Sequence, residues 1–127
     1  MYTFEDLIDV VAKLRDEEKG CPWDREQTHE SLKTYLENEC QEVIQAIDNG
    51  DMENLCEELG DVLFQIMIHS QIGKEEEIFT IEDVIDGLCR KMIYRHPHVF
   101  GNVKVNSADE CNALWKELKK REKGKKP

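Results

Sequence analysis

Four acidic residues at two matched spacings are the part of this sequence best suited to chemistry. Glu39 and Glu42 lie three residues apart, and Glu58 and Asp61 repeat that spacing further along the chain. Residues three apart share a helix face, so each pair would present two carboxylates in the same direction. Oxygen ligands suit Mg²⁺ or Mn²⁺, whereas zinc favours nitrogen and sulfur. The spacing therefore indicates a divalent metal site built from two helices.

Glu39 falls in the middle of an apolar helix face, together with Leu32, Leu36 and Val43. A carboxylate held inside a bundle is costly unless its charge is compensated. The next helical segment is mostly apolar, and its polar stripe is typical of a face exposed to solvent. A tight turn at residues 48–51 would bring both acid pairs together. Two interpretations stay open at this point, a metal clamp and a solvated face. The stripe comprises Asn54, Glu58, Asp61, Gln65 and His69.

The periodicity of apolar residues predicts an all-α fold, a helical bundle of about five helices with an antiparallel hairpin at its core. No segment shows sustained alternation of period two, so almost no sheet is expected. We predict one domain over residues 1–120 and a disordered basic tail over residues 121–127. The predicted helices are Phe4–Leu14, Asp24 (as the cap) to about Asp48, about Met52 to Ile72, Thr80 (as the cap) to about Arg95, and a fifth that begins near residues 106–110.

The charge balance excludes some partners. The 127 residues carry a formal net charge of −11, and the basic end from residue 116 onward leaves −16 on residues 1–115. So acidic a body argues against binding a phosphate backbone, and no nucleic-acid partner is expected. It suits divalent cations, or a substrate that arrives with its own metal ion.

The five cysteines are odd in number and form no CxxC pair, which is typical of a reduced, cytoplasmic protein. The sequence starts with an acidic amphipathic segment in place of a signal peptide. No apolar run approaches the roughly 20 residues of a membrane span. We therefore expect a cytoplasmic protein with no membrane partner.

Three motifs together resemble the MazG family of nucleoside triphosphate pyrophosphohydrolases: GCPWDREQTHESL (20–32), the acidic set (38–61) and RKMIYRHPHVFGN (90–102). The resemblance extends from about residue 4 to about residue 120. It implies an all-α fold, a homodimer or higher oligomer, and Mg²⁺-dependent conversion of a nucleoside triphosphate to a monophosphate and pyrophosphate, with Mn²⁺ as the alternative ion. The family's metal signature, EExxE followed by ExxD, implies Mg²⁺ ligands at Glu39, Glu42, Glu58 and Asp61. Glu39 and Glu42 are also the predicted catalytic residues.

The resemblance further implies that Lys91, Arg95, Trp115 and Lys119 contact the nucleotide. The members of each pair are four residues apart and share a helix face. Their chemistry suits the role, because Arg offers a planar fork to phosphate oxygens, Lys offers a point charge, and Trp can stack on a base or ribose.

One position departs from the family pattern, since Asn38 replaces the first Glu of EExxE. Asn neither supplies charge nor acts as a base. If that position orients the attacking water, the chain would be a catalytically weak nucleotide-binding regulatory module. A third alternative is a purely structural helical dimer whose acids form a solvated face.

Overall fold

The computed structural model describes the backbone of residues 1–125 and the side chains through Lys123. Within that part of the chain it contains seven helices and no strand, which confirms the all-α fold. None of these helices combines the length and the apolar character needed to cross a membrane. The helices are α1 (Phe4–Leu14), α2 (Pro22–Glu26), α3 (Lys33–Asp48), α4 (Met52–Glu75), α5 (Ile81–Arg95), α6 (Pro97–Phe100) and α7 (Ala108–Lys125).

The chain divides into two compact units, residues 1–81 and the residues from Glu82 onward. The single domain predicted over residues 1–120 stays a prediction. Helix α7 extends through residues 121–125, which had been assigned to a disordered tail. An ion pair between Arg121 and Glu117, one turn apart, supports this last part of the helix. Residues 126 and 127 lie outside the described residues.

The first unit has a small apolar core between α1, α4 and the residues that flank them. Thr3 and Asp6 form a capping box at the N-terminus of α1. The backbone N–H of Thr3 donates to the Asp6 carboxylate at 2.8 Å, and the backbone N–H of Asp6 donates to the Thr3 hydroxyl at 3.2 Å. Its apolar face packs against α4, with Leu7 and Ile8 at the edge of the core. The buried core residues are Val11, Leu32, Met67, Ile68, Ile72 and Ile81.

The turn between α3 and α4 sets the register of the hairpin. Gly50 adopts a left-handed backbone conformation with φ of 65°, which glycine reaches without a steric penalty. The backbone N–H of Gly50 donates to Ile47 and that of Asp51 donates to Ala46, so the last carbonyls of α3 are satisfied. Asp51 then caps α4 by accepting from the N–H of Asn54 at 3.1 Å. The chain thus reverses its direction between α3 and α4 within three residues.

The single helix predicted from Asp24 to Asp48 is wrong, because the chain breaks between α2 and α3. Thr28 and Ser31 exchange hydrogen bonds between their hydroxyls and backbone N–H groups at 2.9 and 3.0 Å. Such local bonds compete with helical hydrogen bonds and favour a turn. Asp24 lies inside α2 and is buried, and Cys21 precedes the helix in its place.

Arg15 ties this broken segment to the long helix. Its Nη1 donates to the carbonyl oxygens of Asp24 and Gln27 at 2.6 and 3.0 Å. Its Nε and Nη2 donate to the carboxylate of Glu75 at 2.9 and 2.8 Å. Hydrogen bonding to Arg15 holds the pKa of Glu75 below its usual value. The guanidinium therefore fixes the segment before α3 against the end of α4.

Two glycine substitutions in the hairpin are expected to have opposite effects on stability. Gly50→Ala should lower the free energy of unfolding by about 1 kcal/mol, because the left-handed conformation penalises a Cβ even where space is open. Gly60→Ala, within α4 and also free of contacts to an added Cβ, should raise it by up to about 1 kcal/mol. Urea unfolding of both variants measures these changes. Equal effects of the two substitutions would contradict a left-handed turn at Gly50.

Candidate metal centre

The structure brings all four predicted acids of the hairpin together. Glu39 and Glu42 come from α3, and Glu58 and Asp61 come from α4. One carboxylate oxygen from each lies within 4.8 Å of the others. The close reversal at residues 49–51 allows this convergence, since each pair lies a few turns from the loop. The four oxygens are spaced as ligands around one site, and their assignment to a metal stays a prediction.

Two of these carboxylates have an oxygen that is buried without a hydrogen-bond partner among the described residues. These atoms are Oε2 of Glu39 and Oε2 of Glu58. Most buried polar atoms in proteins are hydrogen-bonded, and a buried carboxylate oxygen is especially costly to leave unpaired. A divalent cation would satisfy both oxygens and would offset the repulsion between the carboxylates. The residues present therefore fit a hard divalent cation.

The electrostatics of the cluster point the same way. The pKa of Glu58 rises to about 7, first because its side chain shares a hydrogen bond with Glu42, and then through burial and the charges of Glu42, Asp61 and Glu39. The pKa of Glu39 is also raised, chiefly by burial and next by the charge of Glu42. Like charges at this distance keep protons that separate carboxylates would release. Without a cation, protons take over the neutralising role.

The exposure of α4 differs from what its sequence pattern predicts. The stripe was predicted to face solvent if the acids were merely solvated, yet Gln65 is only 5% exposed. Three large apolar residues of α4 are exposed instead, since Leu59, Leu63 and Ile66 are 52%, 38% and 42% exposed. The stripe is therefore not uniformly exposed to solvent, because Gln65 lies inward while an apolar face of α4 lies outward.

His69 continues this stripe and pairs with a residue of the α2–α3 segment. Its Nδ1 lies 2.7 Å from Nδ1 of His29. The two rings are nearly parallel, with an interplanar angle of 3° and centroids 5.0 Å apart. Burial, and next the charge of His29, lower the pKa of His69. The half-buried His69 therefore holds the α2–α3 segment on α4 through its contact with His29.

The four predicted nucleotide-binding residues lie in the second unit. Lys91 and Arg95 line one open cavity of about 840 Å³, together with Tyr94 and Glu122. The Arg95 guanidinium lies 5.8 Å from the centre of the Trp115 ring and pairs with Glu122 at 2.8 Å. Lys119 lines a smaller cavity of about 160 Å³ that Trp115 also borders.

Sequence reasoning missed two residues that the geometry makes prominent. Glu122 falls within the predicted basic tail, yet its carboxylate accepts a hydrogen bond from the guanidinium of Arg95. Gln65 was noted only as a member of the polar stripe. Its position one turn after Asp61 is the signal that could have marked it. Asn38, the departure from the family pattern, is exposed on α3.

Comparison with known proteins identifies the relatives of this chain. The profile of the MazG nucleotide pyrophosphohydrolase domain matches residues 27–100. The chain is 53% identical over 123 residues to the nucleoside triphosphate pyrophosphohydrolase/pyrophosphatase MazG of Thermotoga maritima, and 37% identical over 126 residues to the nucleoside triphosphate pyrophosphohydrolase of Escherichia coli K12. These alignments cover 97% and 99% of this chain, but 46% and 48% of the two relatives. The chain thus spans about half the length of these two curated relatives.

A solved structure matches over a larger share of its own length. The crystal structure of a mazG-related protein from Thermotoga maritima superposes with a TM-score of 0.73 at 31% identity, and the match covers 91% of this chain and 98% of that one. Together with the family profile, which matches more than half of the chain, this shows that the chain belongs to the MazG family of nucleotide pyrophosphohydrolase domains.

Proposed function

We propose that this chain hydrolyses nucleoside triphosphates to nucleoside monophosphates and pyrophosphate, with Mg²⁺, or alternatively Mn²⁺, held by Glu39, Glu42, Glu58 and Asp61. The observation that carries the proposal is the pair of buried, unpartnered carboxylate oxygens within a cluster of four acids. The names of the curated relatives support the reaction. Oxygen-only ligands favour Mg²⁺ or Mn²⁺ over zinc.

In this reaction the oxygen of water bonds to phosphorus and the water gives up a proton, while the P–O bond that bridges the α and β phosphates breaks and pyrophosphate leaves. A divalent cation supplies charge neutralisation on the phosphates and makes a bound water more acidic. Glu39 and Glu42 act as the catalytic carboxylates as well as ligands. The hairpin fixes the positions of the four carboxylates that would hold the cation. These side chains therefore need not reorganise during the reaction.

Lys91 and Arg95 are proposed to bind the phosphates, and Trp115 and Lys119 the rest of the nucleotide. Arg95 is already held by Glu122 and lies against Trp115, so its fork is pre-oriented before substrate arrives. A phosphate would compete with Glu122 for the same donors.

We also propose that the chain acts as a homodimer or higher oligomer. The exposed apolar residues Leu59, Leu63 and Ile66 on α4 support an interface, because large side chains on one helix face are costly to leave in water. A chain of this length also gains from burying more apolar surface than its own core provides.

Release of pyrophosphate tests the reaction directly. Purified protein with Mg²⁺ should release pyrophosphate from at least one nucleoside triphosphate. Glu42→Gln should reduce kcat/KM by about 100-fold or more, since it removes a charge next to the proposed cation. Glu57→Gln, an exposed acid on α4 that lies outside the cluster, should leave it nearly unchanged and serves as the matched control. Equal losses in both variants, or no release by the wild type, would contradict the proposal.

The pKa of Glu58 predicts how pH changes the stability of the metal-free protein. Its pKa is raised in the folded state, so the folded protein binds more protons than the unfolded chain between about pH 4.5 and pH 7. The free energy of unfolding should therefore fall as pH rises through this window. Glu58→Gln should remove part of that fall, so that the free energy of unfolding of the variant exceeds that of the wild type most clearly at pH 8.

Metal should reverse this pH dependence. With Mg²⁺ present, the wild type should gain most stability at pH 8 and little at pH 5, where protons occupy the carboxylates. Thermal unfolding of both proteins in chelator and in Mg²⁺ measures the effect. A wild type that is most stable at pH 8 without metal, with no difference from Glu58→Gln, would be inconsistent with close carboxylates.

The weak regulatory module is the second candidate, and Asn38 favours it. Asn38→Glu restores the family pattern and should raise kcat by about 10-fold or more if that position orients the attacking water. Nucleotide binding should change little. An unchanged kcat would assign the position a supporting role and would remove the reason for a weak enzyme.

A further inference from the structure

Gln65 is the buried polar residue of α4 whose hydrogen bonding is incomplete. It is 5% exposed, and its Oε1 has no partner among the described residues. An amide oxygen that is buried without a hydrogen bond lowers stability, and an apolar residue of similar size would avoid that loss. The position therefore works against the stability of the isolated fold. Ser70, the next buried polar residue of α4, contrasts with it, because its hydroxyl donates to the carbonyl oxygen of Ile66 at 2.8 Å.

The location of Gln65 relates it to the acid cluster. At 100° per residue, Gln65 lies between Glu58 and Asp61 around the axis of α4, about 20° from the first and about 40° from the second. Side chains on a helix lean toward its N-terminus, so Gln65 leans toward the turn that carries Asp61. Glu58 is half-buried and Asp61 is exposed, whereas Gln65 is buried. Gln65 thus lies one turn beyond Asp61 on the same side of α4, at the more buried end of the acidic stripe.

The chemistry of the surrounding groups limits what the amide oxygen can bind. Ionised carboxylates only accept hydrogen bonds, and so does Oε1, so the four acids cannot satisfy it once a cation has displaced their protons. It requires a donor that is compatible with a ring of acceptors. A hydrated divalent cation provides one, because Mg²⁺ usually keeps several of its water molecules when carboxylates bind it.

We infer that Gln65 is a positioning residue of the metal centre, whose Oε1 accepts a hydrogen bond from a water molecule in the hydration shell of the cation. This inference rests on the proposed function. Gln65 neither touches the metal nor supplies charge. It would orient one of the water molecules that complete the coordination of the cation beside the four carboxylates. Partners of metal-binding groups commonly affect metal affinity by about 10–100-fold.

Two substitutions of similar volume separate this role from a structural one. Gln65→Met removes the acceptor amide, so the metal-free protein should have an equal or higher Tm, while the Mg²⁺ concentration needed for a given rise in Tm should increase about 10-fold. Gln65→Glu keeps an acceptor and adds a fifth negative charge. Its metal-free Tm should fall, and it should need less Mg²⁺ than the wild type.

The measurement is thermal unfolding over a Mg²⁺ titration, without nucleotide, and Ser70→Ala is the control. This control loses a satisfied hydrogen bond, so its metal-free Tm should fall while the Mg²⁺ concentration needed for a given rise in Tm stays at the wild-type value. A lower metal-free Tm for Gln65→Met with an unchanged Mg²⁺ requirement would overturn the inference and assign Gln65 a structural role. A wild type that does not respond to Mg²⁺ would instead contradict the proposed metal site.

Discussion

Repulsion between four carboxylates is the constraint on which the rest of this structure depends. The α3–α4 hairpin places one oxygen of each acid within 4.8 Å of the others and buries two oxygens without partners. A fold that gained only stability would not keep such a cluster, because each unpaired charge opposes burial. The remaining features of the first unit compensate for this repulsion. They hold the two helices in register although their facing side chains repel.

Several local interactions share this task. The left-handed Gly50 and the cap at Asp51 reverse the chain within a few residues, so the register cannot slip. Arg15 and the His29–His69 pair attach the segment before α3 to α4 at points away from the acids. These contacts are well satisfied, and the apolar core lies beside them. The stabilising contacts thus surround the site, whereas the acids within the site repel one another. This is expected where function determines the residue types.

The sequence was sufficient to predict the helices that carry the acids and the convergence of those acids, because spacing of three on a helix and a strong turn are local rules. It did not predict the break before α3, where Thr28 and Ser31 satisfy each other's backbone groups. It also did not predict which face of α4 is buried. That face depends on what α3 presents to it, so Gln65 faces inward while Leu63 and Ile66 are exposed. Such reversals follow from tertiary contacts, which periodicity alone does not contain.

The central claim is that the four acids form one site for a divalent cation. A crystal of the chain grown with Mn²⁺ tests it most directly, through the anomalous scattering of the ion. The account predicts one strong peak within bonding distance of Glu39, Glu42, Glu58 and Asp61, and it predicts that Oε2 of Glu39 or of Glu58 becomes a ligand. A well-ordered cluster without a peak, whose carboxylates are instead paired through shared protons, would contradict it.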